Sequence, residues 1–153
     1  MNARPAADAE TVQAACAHCG QVNRVPATRL ADDPTCGRCK NKVFPHQPLA
    51  VTAATWAAQV ERSPLPVLAD FWAPWCGPCH AVAPALEQIA ARRASRLKVV
   101  KVNVDENQEL AGRFGVRSIP TMVVLRGGRE VDRMVGALPA AEIERRLARR
   151  GDG

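Results

Sequence analysis

Apolar positions divide the chain into a sparse opening stretch and a dense remainder. Residues 1–12 are polar and alanine-rich without a period, which predicts a loose tail. Residues 13–47 carry few large apolar side chains: Val22, Val25, Leu30, Val43 and Phe44. A segment this short and polar cannot close a core by itself and needs a cross-link such as a metal. Pro45 and Pro48 bracket a linker. From Leu49 the pattern tightens. Leu49–Val51 predicts a short strand and Ala53–Arg62 a helix. Val67–Trp72 is a nearly unbroken apolar run, as in a strand covered on both faces, with one carboxylate, Asp70, inside it. A long helical pattern follows from Cys76 to about Arg93, with Leu86, Ile89 and Ala90 on one face, and Pro84 is expected to kink it. Leu97–Val104 predicts a strand and Asn107–Phe114 a helix stopped by Gly115. Thr121–Leu125 and Glu130–Val135 predict strands joined through Gly127-Gly128, a hairpin signal. Pro139 opens a last helix bearing Ile143 and Leu147. The order β-α-β-α-β-α-β-β-α predicts an α/β fold, a central mixed sheet flanked by helices.

Composition mostly excludes. A chain of 153 residues holds one or two domains. No apolar run is long enough to cross a bilayer. The first fifteen residues contain Arg4, Asp8 and Glu10 and lack the apolar core of a secretory signal, so a cytoplasmic location is expected. The net charge of +6 is spread along the chain, with 6 basic and 4 acidic residues through Leu49 and 15 and 11 beyond it. The densest cluster, Arg145, Arg146, Arg149 and Arg150, ends a helix, where cations complement the macrodipole. Neither a nucleic-acid nor a membrane partner is expected, and the chain reads as a monomer.

The six cysteines change the picture. They form three Cys-x-x-Cys pairs, a pattern that in a reducing compartment points to metal or redox chemistry. Cys16 and Cys19 precede Cys36 and Cys39 by a 16-residue spacer, the spacing of a zinc ribbon. Two intervening residues let both sulfurs of a pair face one centre, and Gly20 and Gly37 supply conformational freedom at the turns. Four thiolates would close the coordination sphere of one structural zinc. The competing reading is two short disulfides, or a redox pair beside an idle one. His18 and His46 lie nearby but are not needed as ligands.

Trp75-Cys76-Gly77-Pro78-Cys79 follows a buried strand and opens a helix, the setting of a redox Cys-x-x-Cys. Unpaired N–H groups at the helix start favour a thiolate at Cys76, the expected nucleophile, with Cys79 deeper and resolving. Asp70, amid apolar neighbours, should have its pKa raised by desolvation and could relay a proton to Cys79.

Asp70-Phe71-Trp72-Ala73-Pro74-Trp75-Cys76-Gly77-Pro78-Cys79 resembles the active-site segment of the thioredoxin family. The similarity continues through Lys101–Asp105, Phe114–Thr121 and Val135–Ala137, covering residues 50–150. With the four-cysteine segment in front, the chain is similar to the zinc-containing, thioredoxin 2 type of bacterial thioredoxin. The resemblance implies a thioredoxin fold at 48–150, a zinc ribbon at 13–47, and a disulfide reductase with a redox-active Cys76–Cys79 disulfide. It implies disulfide-containing protein substrates and an NADPH-linked thioredoxin reductase as partners. Ile119-Pro120 would be a cis-proline loop pairing with an extended substrate segment. Trp75, Gly77 and Pro78 would adjoin that substrate, and Gly136 would leave room for it. Lys101 and Trp72 would support the site, Lys101 by opposing the rise in the Asp70 pKa. His80 departs from the family, which carries Lys or Arg there. Two other classes compete: a binding module with an idle thioredoxin scaffold, and a holdase that exposes apolar surface when oxidation expels zinc.

Overall fold

The computed structural model describes residues 10–149. Two antiparallel strands, β1 (Thr11–Ala15) and β2 (Val22–Pro26), form a small sheet and lead into a 3-10 turn at Ala27–Asp32. The tail expected over 1–12 therefore gives way at Thr11, where pairing with Pro26 orders the backbone. The rest of that tail, to residue 9, and Arg150 lie outside the described residues.

The larger sheet has the order β3-β5-β4-β6-β7. Its strands are β3 (Leu49–Ala50), β4 (Val67–Trp72), β5 (Lys98–Asn103), β6 (Thr121–Arg126) and β7 (Arg129–Val135). β5 runs parallel to β3 and β4, whereas β6 is antiparallel to both β4 and β7. Helix α1 (Ala53–Trp56) begins in a capping box, in which the Thr52 side chain accepts from Ala54 N–H and Thr55 Oγ1 from Thr52 N–H. It then widens into a π-helix at Ala57–Glu61. That widening lets two consecutive residues, Gln59 and Val60, both turn inward. Helices α2 (Gly77–Arg92), α3 (Gln108–Arg113) and α4 (Ala140–Arg149) complete the fold, and α2 passes through Pro84 without interruption.

Both faces of β4 are covered, which explains its unbroken apolar run. Val67, Ala69 and Phe71 join Trp56, Val60 and Leu110 on one side. Leu68 packs with Val82, Leu86 and Ile89 of α2 and with Ile143 and Leu147 of α4 on the other. Alternation along the strand puts Asp70 on the α2 side with Leu68.

The N-terminal segment packs on this body. Val43 and Phe44 are buried together with Ala14, Cys16, Cys36 and Leu65, the last lying just before β4. Gln59 Nε2 donates to the Cys16 carbonyl at 3.1 Å, and Ser95 Oγ donates to Asp33 at 3.2 Å. These contacts lie at the end of the sheet where β4 and β5 begin.

Candidate redox and metal sites

The loop leaving β4 carries Trp75 and ends at Cys76, the N-cap of α2, with φ −89° and ψ 109°. Pro78 occupies the first turn, where a missing N–H costs nothing. Cys76 and Cys79 are disulfide-bonded with Cα atoms 5.3 Å apart. The Cys76 sulfur accepts from Cys79 N–H at 3.2 Å. It also lies 3.8 Å from the carbonyl oxygen of Ile119. Cys79, expected to be the more buried thiol, is 3% exposed against 4% for Cys76, so the pair differs by place on the helix and not by exposure.

The Ile119–Pro120 peptide is cis. Gly136 N–H donates to Pro120 O at 2.8 Å. At φ +98° Gly136 is in a region that L side chains rarely adopt, and a Cβ there would project into open space. Trp75 is 71% exposed, its indole held by Asp105 Oδ2 at 2.9 Å. Together Trp75, Cys76, Ile119 and Gly136 frame one surface.

Asp70 is 3% exposed, and its Oδ1 contacts no donor among the described residues. Burial raises its pKa to about 7, opposed by the charge of Lys101, its register partner on β5. Lys101 Nζ sits 4.6 Å from the ring centre of Trp72, a cation–π contact. His80 Nε2 lies 2.6 Å from Pro74 O. The acceptor has no proton, so this nitrogen carries one. His80 therefore ties α2 to the loop before the active pair, which its sequence position alone did not disclose. Asp105 was likewise legible only as part of a family-like segment.

At the other end of the sheet the four ribbon cysteines converge. Their sulfurs all lie within 4.8 Å of one another. Cys16 and Cys39 sulfurs are 3.6 Å apart, those of Cys19 and Cys36 3.7 Å. A tetrahedral zinc with bonds near 2.3 Å sets sulfurs about 3.8 Å apart, so the set fits that ion. The chain also supplies donors to the sulfurs. His18 N–H and Arg38 N–H reach Cys16 and Cys36, each at 3.3 Å. Hydrogen bonding, led by Cys39 N–H and joined by the Asn23 side chain, lowers the Cys36 pKa, and Asn41 N–H and its amide lower that of Cys39. Burial raises Cys16. His46 bonds Asp33 at 3.0 Å and stands apart from the sulfurs. The left-handed turns fall at Gly20 (φ 80°) and Lys40 (φ 68°), each following the second cysteine of its pair, and not at Gly37. Gly37 instead gives its N–H to Asn23 Oδ1 at 2.9 Å. Asn23 and Asn41 carry no sequence signal beyond polarity.

Known proteins agree with this geometry. The family profile described as Thioredoxin matches residues 47–149, and that described as Thioredoxin 2, N-terminal matches residues 15–41. Thioredoxin C-3 of Corynebacterium nephridii is 39% identical over 132 residues, which cover 86% of this chain and 90% of that protein. Thioredoxin 1 of Nostoc sp. is 50% identical over 97 residues, covering 63% and 91%. The solved structure of an N21Q mutant thioredoxin from Halobacterium salinarum NRC-1 superposes with a TM-score of 0.64 at 36% identity, over 71% of this chain and 95% of that one. The chain belongs to the thioredoxin family, as a thiol–disulfide oxidoreductase with a zinc site in its N-terminal module.

Proposed function

We propose that the chain reduces protein disulfides with Cys76 as the attacking thiol and Cys79 as the resolving one. The observation that carries this reading is the position of Cys76, capping α2 beneath the Ile119 carbonyl. In the dithiol form, the Cys76 thiolate attacks a substrate disulfide, forms a mixed disulfide and releases one substrate thiolate. Cys79 then loses its proton, through water, to the Asp70 carboxylate and attacks the Cys76 sulfur. That breaks the mixed disulfide, frees the second substrate thiol and leaves Cys76–Cys79 oxidised, two electrons having passed to substrate. A thioredoxin reductase returns them. The backbone beside Pro120, at Ile119, offers itself to an extended substrate strand. Trp75, Gly77, Pro78 and Gly136 shape the approach, and Lys101 and Trp72 support Asp70.

Cys16, Cys19, Cys36 and Cys39 serve as ligands of one zinc, which when bound cross-links a segment with little core of its own. Residues 13–47 form the ribbon module and 48–150 the catalytic domain. The reading also places the chain in the cytoplasm, as a monomer acting on proteins rather than nucleic acid or membranes. In support, Arg145 and Arg146 of α4 are tied to Glu142, and no helix among the described residues is long and apolar enough to cross a membrane.

Stopped reduction of a model protein disulfide tests the roles. Cys76→Ser should abolish attack while leaving zinc content unchanged. Cys79→Ser should attack once and accumulate a mixed disulfide. Normal turnover by Cys79→Ser would refute the assignment.

A further inference from the structure

Lys98 opens β5 at the ribbon end of the sheet and is 1% exposed. A buried ammonium is costly unless its protons are bonded and its charge is countered. Its Nζ donates to Gln59 O at 2.9 Å and to Gln59 Oε1 at 3.0 Å, both neutral acceptors. None of the ion pairs among the described residues joins Lys98 to a carboxylate. Two of its three N–H donors are met, both by Gln59, and no acid among the described residues pairs with its charge. The same Gln59 side chain continues toward the ribbon, its Nε2 donating to the carbonyl of Cys16. Cys16 is fully buried, and its carbonyl is the acceptor of that bond. A zinc ion in four thiolates leaves two negative charges in surplus. A buried cation without a carboxylate thus stands one glutamine away from the buried side of a cluster with anionic surplus, Cys16 and Cys36 being buried and Cys19 exposed.

We propose that Lys98 is a positioning residue of the zinc site, its buried ammonium offsetting the charge of the metal–thiolate cluster while Gln59 fixes the Cys16 knuckle to the catalytic domain. The site is then completed by a residue of the other module, and loss of the metal strands a cation beneath the sheet. The proposal rests on the four cysteines being the ligands.

The test is zinc transfer from the reduced, full-length protein to excess 4-(2-pyridylazo)resorcinol, with the thermal midpoint of each protein measured before and after zinc removal. Lys98→Met keeps the apolar stem and removes the charge. It should release zinc roughly tenfold faster or more, the size usual when a ligand loses its supporting partner. Its thermal midpoint should also fall less on zinc removal than the parent's, because no cation is stranded. Lys98→Arg should recover most of the parent's retention. Gln59→Glu keeps the shape but loses the donor to Cys16 O and brings a carboxylate toward the cluster, so it too should release zinc faster. Disulfide reduction by the zinc-loaded variants should match the parent, since Lys98 is at the opposite end of the sheet from Cys76.

Parent-like release by Lys98→Met and Gln59→Glu would overturn the proposal. So would Lys98→Arg releasing as fast as Lys98→Met, which would leave packing and not charge as the cause. Should Lys98→Met fail to fold, Lys98→Arg and Gln59→Glu decide. A parent protein holding no zinc would instead overturn the ligand assignment.

Discussion

Asp70 presents a carboxyl oxygen without a donor on the α2 face of a strand covered on both sides. Its pKa of about 7 in the folded chain stands against the ordinary 3.8. Between those values the folded protein binds more protons than the unfolded one, so this group lowers stability as pH rises from about 4 to about 7. Above that range the penalty is complete, at roughly 2–4 kcal/mol. Asp70→Asn should therefore gain that much near pH 8, far less near pH 4.5, and reduce disulfides more slowly. Urea melts at the two pH values, paired with reduction rates, check both parts. An equal gain at both pH values with unchanged rates would show that Asp70 neither titrates in this range nor acts on Cys79. Asp70 is legible in the sequence because a carboxylate interrupts an apolar run. Lys98 interrupts Leu97–Val104 in the same way, but Lys101 in that run has the family counterpart, and the need for a partner to Lys98 emerges only with the fold. His80 was legible as a departure, whereas its bond to Pro74 depends on how α2 leaves the loop.

Among elements, β4 through α4 follow the periodic apolar pattern closely because each has a covered face that fixes its period. The π-helix at Ala57–Glu61 does not, since a one-residue slip over five residues hardly alters periodicity. β1 and β2 escape for another reason: their order comes from pairing with each other and from the cysteine turns, and only Ala14, Ala15 and Val25 along them are buried. The ribbon's contact with the body was equally hidden, since Val43 and Phe44 give no hint of which surface receives them. That surface includes Leu65. A chain beginning at Leu49 keeps every strand of the larger sheet but uncovers Leu65, Gln59 and Lys98. It should still reduce disulfides, with a loss of stability of about 1–3 kcal/mol from the uncovered apolar area. Denaturant midpoints and reduction rates of the two lengths at equal concentration measure this. A folded but inactive short chain would show that the ribbon takes part in catalysis.

At the scale of the whole molecule, two sulfur centres occupy opposite ends of one sheet. The ribbon meets the start of β4 and β5 through Leu65 and Gln59, whereas Cys76 follows the end of β4. Removing zinc should accordingly disorder the ribbon and change the disulfide-reduction rate by less than about tenfold, or ~1.4 kcal/mol in the barrier. Rates before and after chelation under reducing conditions test it, and complete loss of activity would mean that the ends communicate. The separation bears on more than rate. Thiolate and disulfide exchange only on contact, and a six-residue strand such as β4 keeps its ends about 20 Å apart. A chain that uses one disulfide as its working bond thus carries four further cysteines without short-circuiting itself. Peptide mapping after repeated oxidation and reduction should find Cys76 joined to Cys79 and never to Cys16, Cys19, Cys36 or Cys39. The length of the strand acts as insulation for as long as the ribbon stays folded against the start of β4 and β5.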